Sequence, residues 1–200
     1  MSSGDSMSES VSNPALTARS EVFARPSILA GNIVQVAGIS AAFVLLAVVP
    51  AFLQGRLAVA AMVASWILLY FCCHGIAHWA VGRILGIRFV HYTIAGTANP
   101  RIYPPGIRWI FAHLPFFGVR TDKASMQQGT PLTKALMWSA GVTSSALLPT
   151  LSALWSFHAG IPASKLFLGF ATIWALATLA SNWTSETGDF AKAKRAFKNN

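Results

Sequence analysis

Two histidines near the middle of the chain have the spacing of paired metal ligands. His74 and His78 lie four residues apart in the segment "LLYFCCHGIAHWAVGRILGIRF", which runs from Leu68 to Phe89. Residues i and i+4 lie on one face of a helix, so both imidazoles can point at one metal ion. Imidazole nitrogen suits zinc at about 2 Å, although the same pair could instead hydrogen-bond to neighbouring helices.

A metal ion would need at least one further ligand, and the chain has only six acidic residues. Four of these six lie far from the apolar segments or in a loop between them: Asp5, Glu9, Glu21 and Asp122. Glu186 and Asp189 remain, in the stretch "SNWTSETGDFAKAKRAF". The alternative role for Asp189 is to cap the N-terminus of the basic helix that follows it.

The histidines belong to an unusually apolar chain. Hydrophobic residues make up 54% of the 200 residues and charged residues only 10%, whereas a soluble domain has about 25% charged residues. A membrane-spanning helix needs roughly 20 apolar residues. Uncharged runs predict four such helices, near 33–53, 59–81, 135–157 and 166–184. The predicted fold class is therefore mainly α, a polytopic membrane protein with about four transmembrane helices.

The distribution of basic residues predicts the orientation in the membrane. Two Lys or Arg residues precede the first span, seven lie between the second and third, and four follow the last, which makes 13 of the 15. The positive-inside rule then places both termini and the loop 83–134 in the cytoplasm. The net charge of +9 predicts contact with membrane lipid rather than with nucleic acid.

The segments outside the spans have their own signals. Residues 1–26 are Ser-rich without apolar periodicity, which predicts a disordered tail before a single membrane-embedded domain over 27–200. In the loop, "RFVHYTIAG" and "IRWIFAHLPFFGVRT" have the β-branched and aromatic content of strands. The turn signals Asn99–Pro100 and Pro104–Gly106 separate them. These patterns predict a small cytoplasmic β-hairpin or sheet between the second and third spans.

Four patches occur in order along the chain: "HGIAHWAVGRILGIRFVHYTIAG" (His74–Gly96), "HLPFFGVRT" (His113–Thr121), "SAGVTSSALL" (Ser139–Leu148) and "NWTSETGDFAKAKRAF" (Asn182–Phe197). Together they resemble the site-2 protease family of intramembrane zinc metalloproteases. The first is similar to the H-E-x-x-H helix of that family, which leads through "LGI" into a strand. The second is similar to a strand segment that usually reads Pro-Leu-Gly-Gly. The third resembles the A-G-P-x-x-N segment, and the fourth resembles the N-x-x-P and D-G region.

The resemblance implies one zinc ion per chain, held by His74, His78 and Asp189. It also implies a core of three spans, so the first span here would be an additional helix. The family has a catalytic glutamate directly after the first histidine, and this chain has Gly75 there. The chain departs from the family at further positions, which are Val142 and Ser145 in place of proline and asparagine, Ser185 in place of proline, and a glycine before rather than after Asp189.

The missing glutamate decides between the functional interpretations. In H-E-x-x-H enzymes it transfers the proton of the hydrolytic water, a contribution of typically 10²–10⁴-fold. We therefore expect a membrane-embedded zinc-binding protein of site-2 protease fold, either a pseudoprotease or an enzyme of altered chemistry. Its candidate partners are a transmembrane protein or peptide as well as lipid. Gly75 would leave a small space beside the metal ion.

Three other interpretations follow from the same residues. The protein could be an active intramembrane metalloprotease in which Glu186 is the base, because a helix through this stretch would place Glu186 and Asp189 on one face. It could be a metal-free structural or accessory membrane subunit, with the histidines as polar contacts between helices. A haem protein is the last alternative, although His74 and His78 share a helix face and cannot be opposite axial ligands.

Overall fold

The computed structural model of the protein describes residues 22–96 and 105–198. Within these ranges the chain is mainly helical, with a small antiparallel sheet. The elements in chain order are β1 (Val22–Ala24), α1 (Ile28–Phe52), α2 (Gly55–Ile84), β2 (Phe89–Ala95), α3 (Pro105–His113), β3 (Phe116–Thr121), α4 (Lys123–Gln128), α5 (Pro131–His158), α6 (Ser164–Thr184) and α7 (Asp189–Lys198).

The four long helices predicted from the uncharged runs are present as α1, α2, α5 and α6, and each begins before its predicted start. Capping residues explain the earlier starts of α1 and α5. Ser27 Oγ accepts the N–H of Ala30 at 3.2 Å before α1, and Thr130 Oγ1 accepts the N–H of Thr133 at 3.2 Å before α5. These oxygens satisfy free N–H groups of the first turn, so each of the two helices begins before its predicted span does.

The end of α2 directs the chain into the sheet. Gly86 has a φ of 85°, a conformation that glycine adopts without steric cost. The N–H of Ile87 then donates to the carbonyl of Gly82 at 2.8 Å, which is the pattern of a Schellman motif. β2 therefore follows α2 directly and returns along it.

α2 is the central element of the bundle. It packs against α1 and α5, and α5 in turn contacts α6 and α7. At one end of the bundle, Val49 of α1, Met62 of α2 and Ile161 between α5 and α6 share one apolar cluster. Further along α2, the ring of Trp66 stacks on Tyr70 with 5.4 Å between centroids and faces α6. The last turns of α2, at the opposite end, carry the two histidines.

The sheet has the strand order β1-β2-β3, and both pairings are antiparallel. Tyr92 of β2 is fully buried, and its ring lies so close to Gly31 of α1 that a side chain there would overlap it. The Tyr92 hydroxyl donates to Asn32 Oδ1 at 2.7 Å. Burial raises the pKa of Tyr92 to about 12, so this group stays a neutral donor near pH 7. The sheet is therefore tied to α1 as well as to α2.

Two predictions for the segments outside the long helices are wrong in part. "RFVHYTIAG" forms β2 as predicted, but "IRWIFAHLPFFGVRT" forms most of α3 and then β3 rather than one strand. Pro105 stands in the first turn of α3, where its missing N–H costs nothing. The tail predicted as disordered over 1–26 includes β1, because β1 pairs with the second edge of β2. Residues 1–21 and the turn at Asn99–Pro100 lie outside the described residues.

Three helical segments are long and apolar enough to cross a membrane: α1, α2 and Ser164–Lys198, which contains α6. This is consistent with a membrane protein. α5 has 28 residues, but eight of them are Ser or Thr, which lowers its hydropathy. Several of these hydroxyl side chains are buried, among them Ser145, Ser152 and Ser156. α5 therefore packs beside α2 with several hydroxyl side chains buried inside the bundle.

The packing of Tyr92 against α1 can be tested by replacing Gly31 with alanine. The added methyl group would overlap the Tyr92 ring, so we expect a loss of about 1–3 kcal/mol in the free energy of unfolding. The measurement is thermal unfolding of the detergent-solubilised protein. Gly169→Ala is the matched control, because no atom lies within 4 Å of a methyl group there. Equal stability of the two variants would contradict this packing.

Candidate metal centre

His78 is the buried half of the histidine pair on α2. Its side chain is 3% exposed. Its Nδ1 lies 2.7 Å from the carbonyl oxygen of Met137 on α5. A carbonyl only accepts hydrogen bonds, so Nδ1 carries the proton and, in the neutral ring, Nε2 presents a lone pair. Such an outer partner fixes both the tautomer and the ring orientation of a metal-ligating histidine.

His74 lies one turn earlier on the same face of α2. Its Nδ1 is 3.0 Å from Ser145 Oγ of α5, and its Nε2 is 3.2 Å from Nε2 of His78. The His74 side chain is 32% exposed, so the accessible side of the site is the side of His74. The spacing of four residues thus does what the sequence predicts, because it turns both Nε2 atoms to one point.

Asp189, the first residue of α7, completes the group. Its Oδ2 lies 3.2 Å from Nε2 of His74 and 3.2 Å from Nε2 of His78. The residue is 8% exposed. Among the described residues, these three side chains form a group that could hold a metal ion. Asp189 lies at the start of α7, but its carboxylate contacts the histidines and Lys192.

The geometry of the group fits a tetrahedral ion. Three ligands at about 2.0–2.1 Å from such an ion lie about 3.3 Å from one another, and the three ligand atoms here are 3.2 Å apart. Two imidazole nitrogens and a carboxylate oxygen form a donor set that zinc accepts. One metal ion would satisfy all three atoms at once, whereas a proton between two of them leaves the third facing another electron-rich atom.

The second oxygen of Asp189 and its backbone are held as well. Oδ1 accepts a hydrogen bond from Lys192 Nζ at 2.8 Å, and the Lys192 ammonium lies 4.4 Å from the ring centroid of Trp138. The backbone N–H of Asp189 donates to Asn182 Oδ1 at 3.4 Å. Gly188 allows this approach, because a side chain there would meet the Asn182 carbonyl at 2.8 Å. The carboxylate is thus oriented from both sides.

Gly141 of α5 makes room for the buried histidine. A methyl group on Gly141 would overlap the His78 imidazole. The glycine belongs to the patch "SAGVTSSALL" that the sequence singles out, as does Ser145. The sequence marks Ser145 only as a departure from asparagine, whereas in the structure it is the hydrogen-bonding partner of His74.

The space beside Gly75 is filled, contrary to the expectation of a small opening. A Cβ on Gly75 would lie 2.8 Å from Gln35 Oε1 of α1 and 3.2 Å from the backbone carbonyl of Phe117. Gln35 is fully buried, and its Oε1 accepts the N–H of Ile76 at 2.8 Å. The sequence contained one signal for this hydrogen bond between α1 and α2, since Gln35 is an amide side chain inside an apolar run.

Glu186, the candidate base, lies outside the group of three. Residues 185–188 are not helical, and α7 begins at Asp189. Glu186 and Asp189 therefore do not share a helix face. Glu186 is exposed, and its backbone carbonyl accepts from Arg195 Nη1 at 3.0 Å. A catalytic role for its carboxylate stays a prediction.

Two further histidines, His113 and His158, are exposed and lie outside the metal-binding group. Comparison of the chain with protein-family models, with curated protein sequences and with solved structures finds no match. The functional argument therefore depends on the geometry of the site.

The role of Ser145 can be tested by its replacement with alanine. Loss of the hydroxyl leaves Nδ1 of His74 without its partner, and we expect zinc affinity to fall by about 10–100-fold. The measurement is competition for zinc with a chromophoric chelator. Ser152→Ala is the matched control, because this buried hydroxyl donates to the Pro149 carbonyl of its own helix at 2.7 Å. A similar loss in both variants would point to a general effect on α5.

Proposed function

We propose that this chain is an integral membrane protein that binds one zinc ion through His74, His78 and Asp189. The observation that carries the proposal is the triangle of three ligand atoms at 3.2 Å. The Nδ1 atoms of both rings already have partners on α5. Both Nε2 atoms face the same carboxylate oxygen, and one cation between the three atoms would satisfy them together.

The proposal includes four spans, with α5 as the fourth. The hydroxyls of α5 are compatible with a membrane environment, since many donate to carbonyls of their own helix. Thr150 Oγ1 donates to the Ala146 carbonyl at 2.7 Å and Ser156 Oγ to the Ser152 carbonyl at 2.9 Å. The contacts of α5 with α1, α2, α6 and α7 further support a place among the spans.

Both termini and the loop 83–134 are cytoplasmic in this proposal. The apolar cluster with Val49 and Ile161 lies at one end of the bundle, where the basic residues are Arg56 and Lys165. The sheet, the histidines and α7 lie at the other end, together with the other Lys and Arg residues that the structure describes. This asymmetry supports the orientation, because cytoplasmic loops carry the excess of Lys and Arg.

We also propose a divergent site-2 protease fold, and the position of the four patches supports it. His74–Gly96 supplies both histidines and β2. His113–Thr121 includes β3, whose Phe117 carbonyl faces Gly75. Ser139–Leu148 places Gly141 and Ser145 against the histidine rings. Asn182–Phe197 supplies Asp189 and the residue that holds its backbone.

The site is suited to binding rather than to peptide hydrolysis. When bound, zinc would supply Lewis-acid polarisation of a ligand oxygen. Hydrolysis also needs a group that takes and returns a proton. Among the described residues, the carboxylates besides Asp189 are Asp122, which caps α4, and the exposed Glu186. We therefore propose a pseudoprotease that binds a transmembrane protein or peptide.

Metal content tests the zinc site. Elemental mass spectrometry of the detergent-purified protein should find about one zinc ion per chain, and His74→Ala with His78→Ala should lose it. The matched control is His113→Ala with His158→Ala, which removes two exposed histidines outside the group. Absence of metal from the unaltered protein would instead support the metal-free structural subunit.

Restoring a glutamate tests the missing base. Gly75→Glu alone should destabilise the protein, since its side chain meets Gln35 and the Phe117 carbonyl. Gln35→Ala combined with Gly75→Glu removes the amide and should recover part of the stability. If the zinc site is competent, this double variant should hydrolyse a peptide substrate about 10²–10⁴-fold faster than the unaltered chain.

The control for this experiment is Gln35→Ala combined with Gly75→Gln, which fills the same space without a base. Equal turnover of the two double variants would contradict the account based on the missing glutamate. Peptide hydrolysis by the unaltered chain that Glu186→Gln abolishes would establish the active protease with Glu186 as base.

A further inference from the structure

An apolar groove lies where the end of α6 meets the start of α7. Its volume is about 440 Å³, and it is lined by Leu179, Ala180, Trp183, Thr184 and Phe190. The hydroxyl of Thr184 already donates to the Ala180 carbonyl at 3.0 Å. The Trp183 and Phe190 rings meet edge to face, with 6.0 Å between centroids. The walls of the groove are therefore aromatic and aliphatic, which suits an apolar occupant.

One cationic side chain, Lys194, contacts a wall of this groove, and a second, Arg195, follows it on α7. Lys194 Nζ is 3.3 Å from the ring centroid of Trp183 and donates to the Trp183 carbonyl at 3.2 Å. Arg195 bonds the Glu186 carbonyl. Both partners are neutral backbone groups, so neither positive charge is cancelled by these bonds. Residues 182–198 contain four Lys or Arg against two carboxylates, and Lys192 is already paired with Asp189.

We propose that the groove binds one acyl chain of an anionic phospholipid, whose phosphate is held by Lys194 and Arg195. Three observations favour this occupant. Trp183 is 61% exposed at the end of a long apolar helix, the position that tryptophan takes at a membrane interface. The apolar walls match a hydrocarbon chain, and the cations beside them match a phosphate. A zwitterionic lipid offers the same acyl chain and phosphate, but its own ammonium group offsets the attraction to the two cations.

The groove adjoins the metal centre through α7. Phe190 lines the groove and directly follows Asp189, whose carboxylate faces the two histidines. A bound lipid would therefore hold the first turn of α7 and restrict the carboxylate. This consequence rests on the proposed zinc site, whereas the lipid site itself does not require the metal ion.

The test uses the full chain in nanodiscs of phosphatidylcholine alone or mixed with phosphatidylglycerol. Native mass spectrometry after release into detergent counts the lipids that stay bound. We expect one phosphatidylglycerol to be retained per chain in preference to phosphatidylcholine. Lys194→Gln should weaken this retention by about fivefold. Ala180→Trp should fill the groove and abolish retention.

Two matched controls accompany these variants. Lys165→Gln removes an exposed lysine at the far end of α6, and Ala177→Trp adds a tryptophan at an exposed position outside the groove. Both should retain phosphatidylglycerol like the unaltered chain. Equal retention of the two lipids, or equal losses in the Lys194 and Lys165 variants, would overturn the lipid site.

Zinc affinity, measured in the same nanodiscs, separates the two proposals. We expect tighter zinc binding with phosphatidylglycerol than with phosphatidylcholine. Retained phosphatidylglycerol without any zinc would overturn the zinc site and support the lipid site. Bound zinc without retained phosphatidylglycerol would overturn the lipid site. Equal zinc affinity in the two lipids, with phosphatidylglycerol bound, would overturn the effect on Asp189.

Discussion

The close approach of α5 to the last turns of α2 is the contact on which the site depends. A side chain on Gly141 would overlap the His78 ring, so the two helices can pack this closely only because residue 141 is glycine. The same contact brings the Met137 carbonyl and Ser145 Oγ to the Nδ1 atoms of the two rings. Because each ring is held at Nδ1, each Nε2 is turned towards α7. Packed interiors resist small displacements, so these orientations are set before any ligand binds.

The return of the chain after α6 brings the negative charge of the Asp189 carboxylate to the histidines. A non-helical break at 185–188 lets α7 begin with Asp189 beside the histidines. Lys192 takes one carboxylate oxygen and leaves the other to the two rings. Burying a carboxylate beside the lone pair of a neutral imidazole is costly unless a proton or a cation lies between them. The three ligand atoms therefore form a preorganised group that could hold a metal ion.

Gly75 has a structural reason to be glycine that is separate from catalysis. The position faces Gln35 Oε1 and the Phe117 carbonyl, two acceptor oxygens that would repel a carboxylate. Gln35 also takes the N–H of Ile76, and Asn32 takes the Tyr92 hydroxyl. α1 is thus fastened to α2 and to the sheet at the level of residue 75. A glutamate at this position would require the Gln35 side chain to move, and its Cβ would lie close to the Phe117 carbonyl.

The local features of the protein follow from short stretches of the amino-acid sequence. Uncharged runs of sufficient length predicted α1, α2, α5 and α6, because an apolar backbone satisfies its own hydrogen bonds most simply as a helix. The spacing of His74 and His78 predicted their common face, and β-branched residues predicted β2. Asp189 entered as one of two carboxylates left near the last span, and only the resemblance preferred it to Glu186. The stretch that forms α3 was misassigned, since its apolar and aromatic residues suit a strand as well as an amphipathic helix.

Which of these groups meet depends on the packing of the helices and the sheet, and no local pattern predicts it. Asp189 and His78 are 111 residues apart, and Gln35 and Ile76 are 41 residues apart. The hydrogen bond between Ser145 and His74 and the filled space beside Gly75 also arise from contacts between distant parts of the chain. The exposure of Glu186 likewise depends on how these parts are arranged. Periodicity determines where a side chain points on its own helix or strand. Contacts between distant elements depend on how closely whole helices pack, and that depends on small residues such as Gly31 and Gly141, which carry no chemical signal of their own.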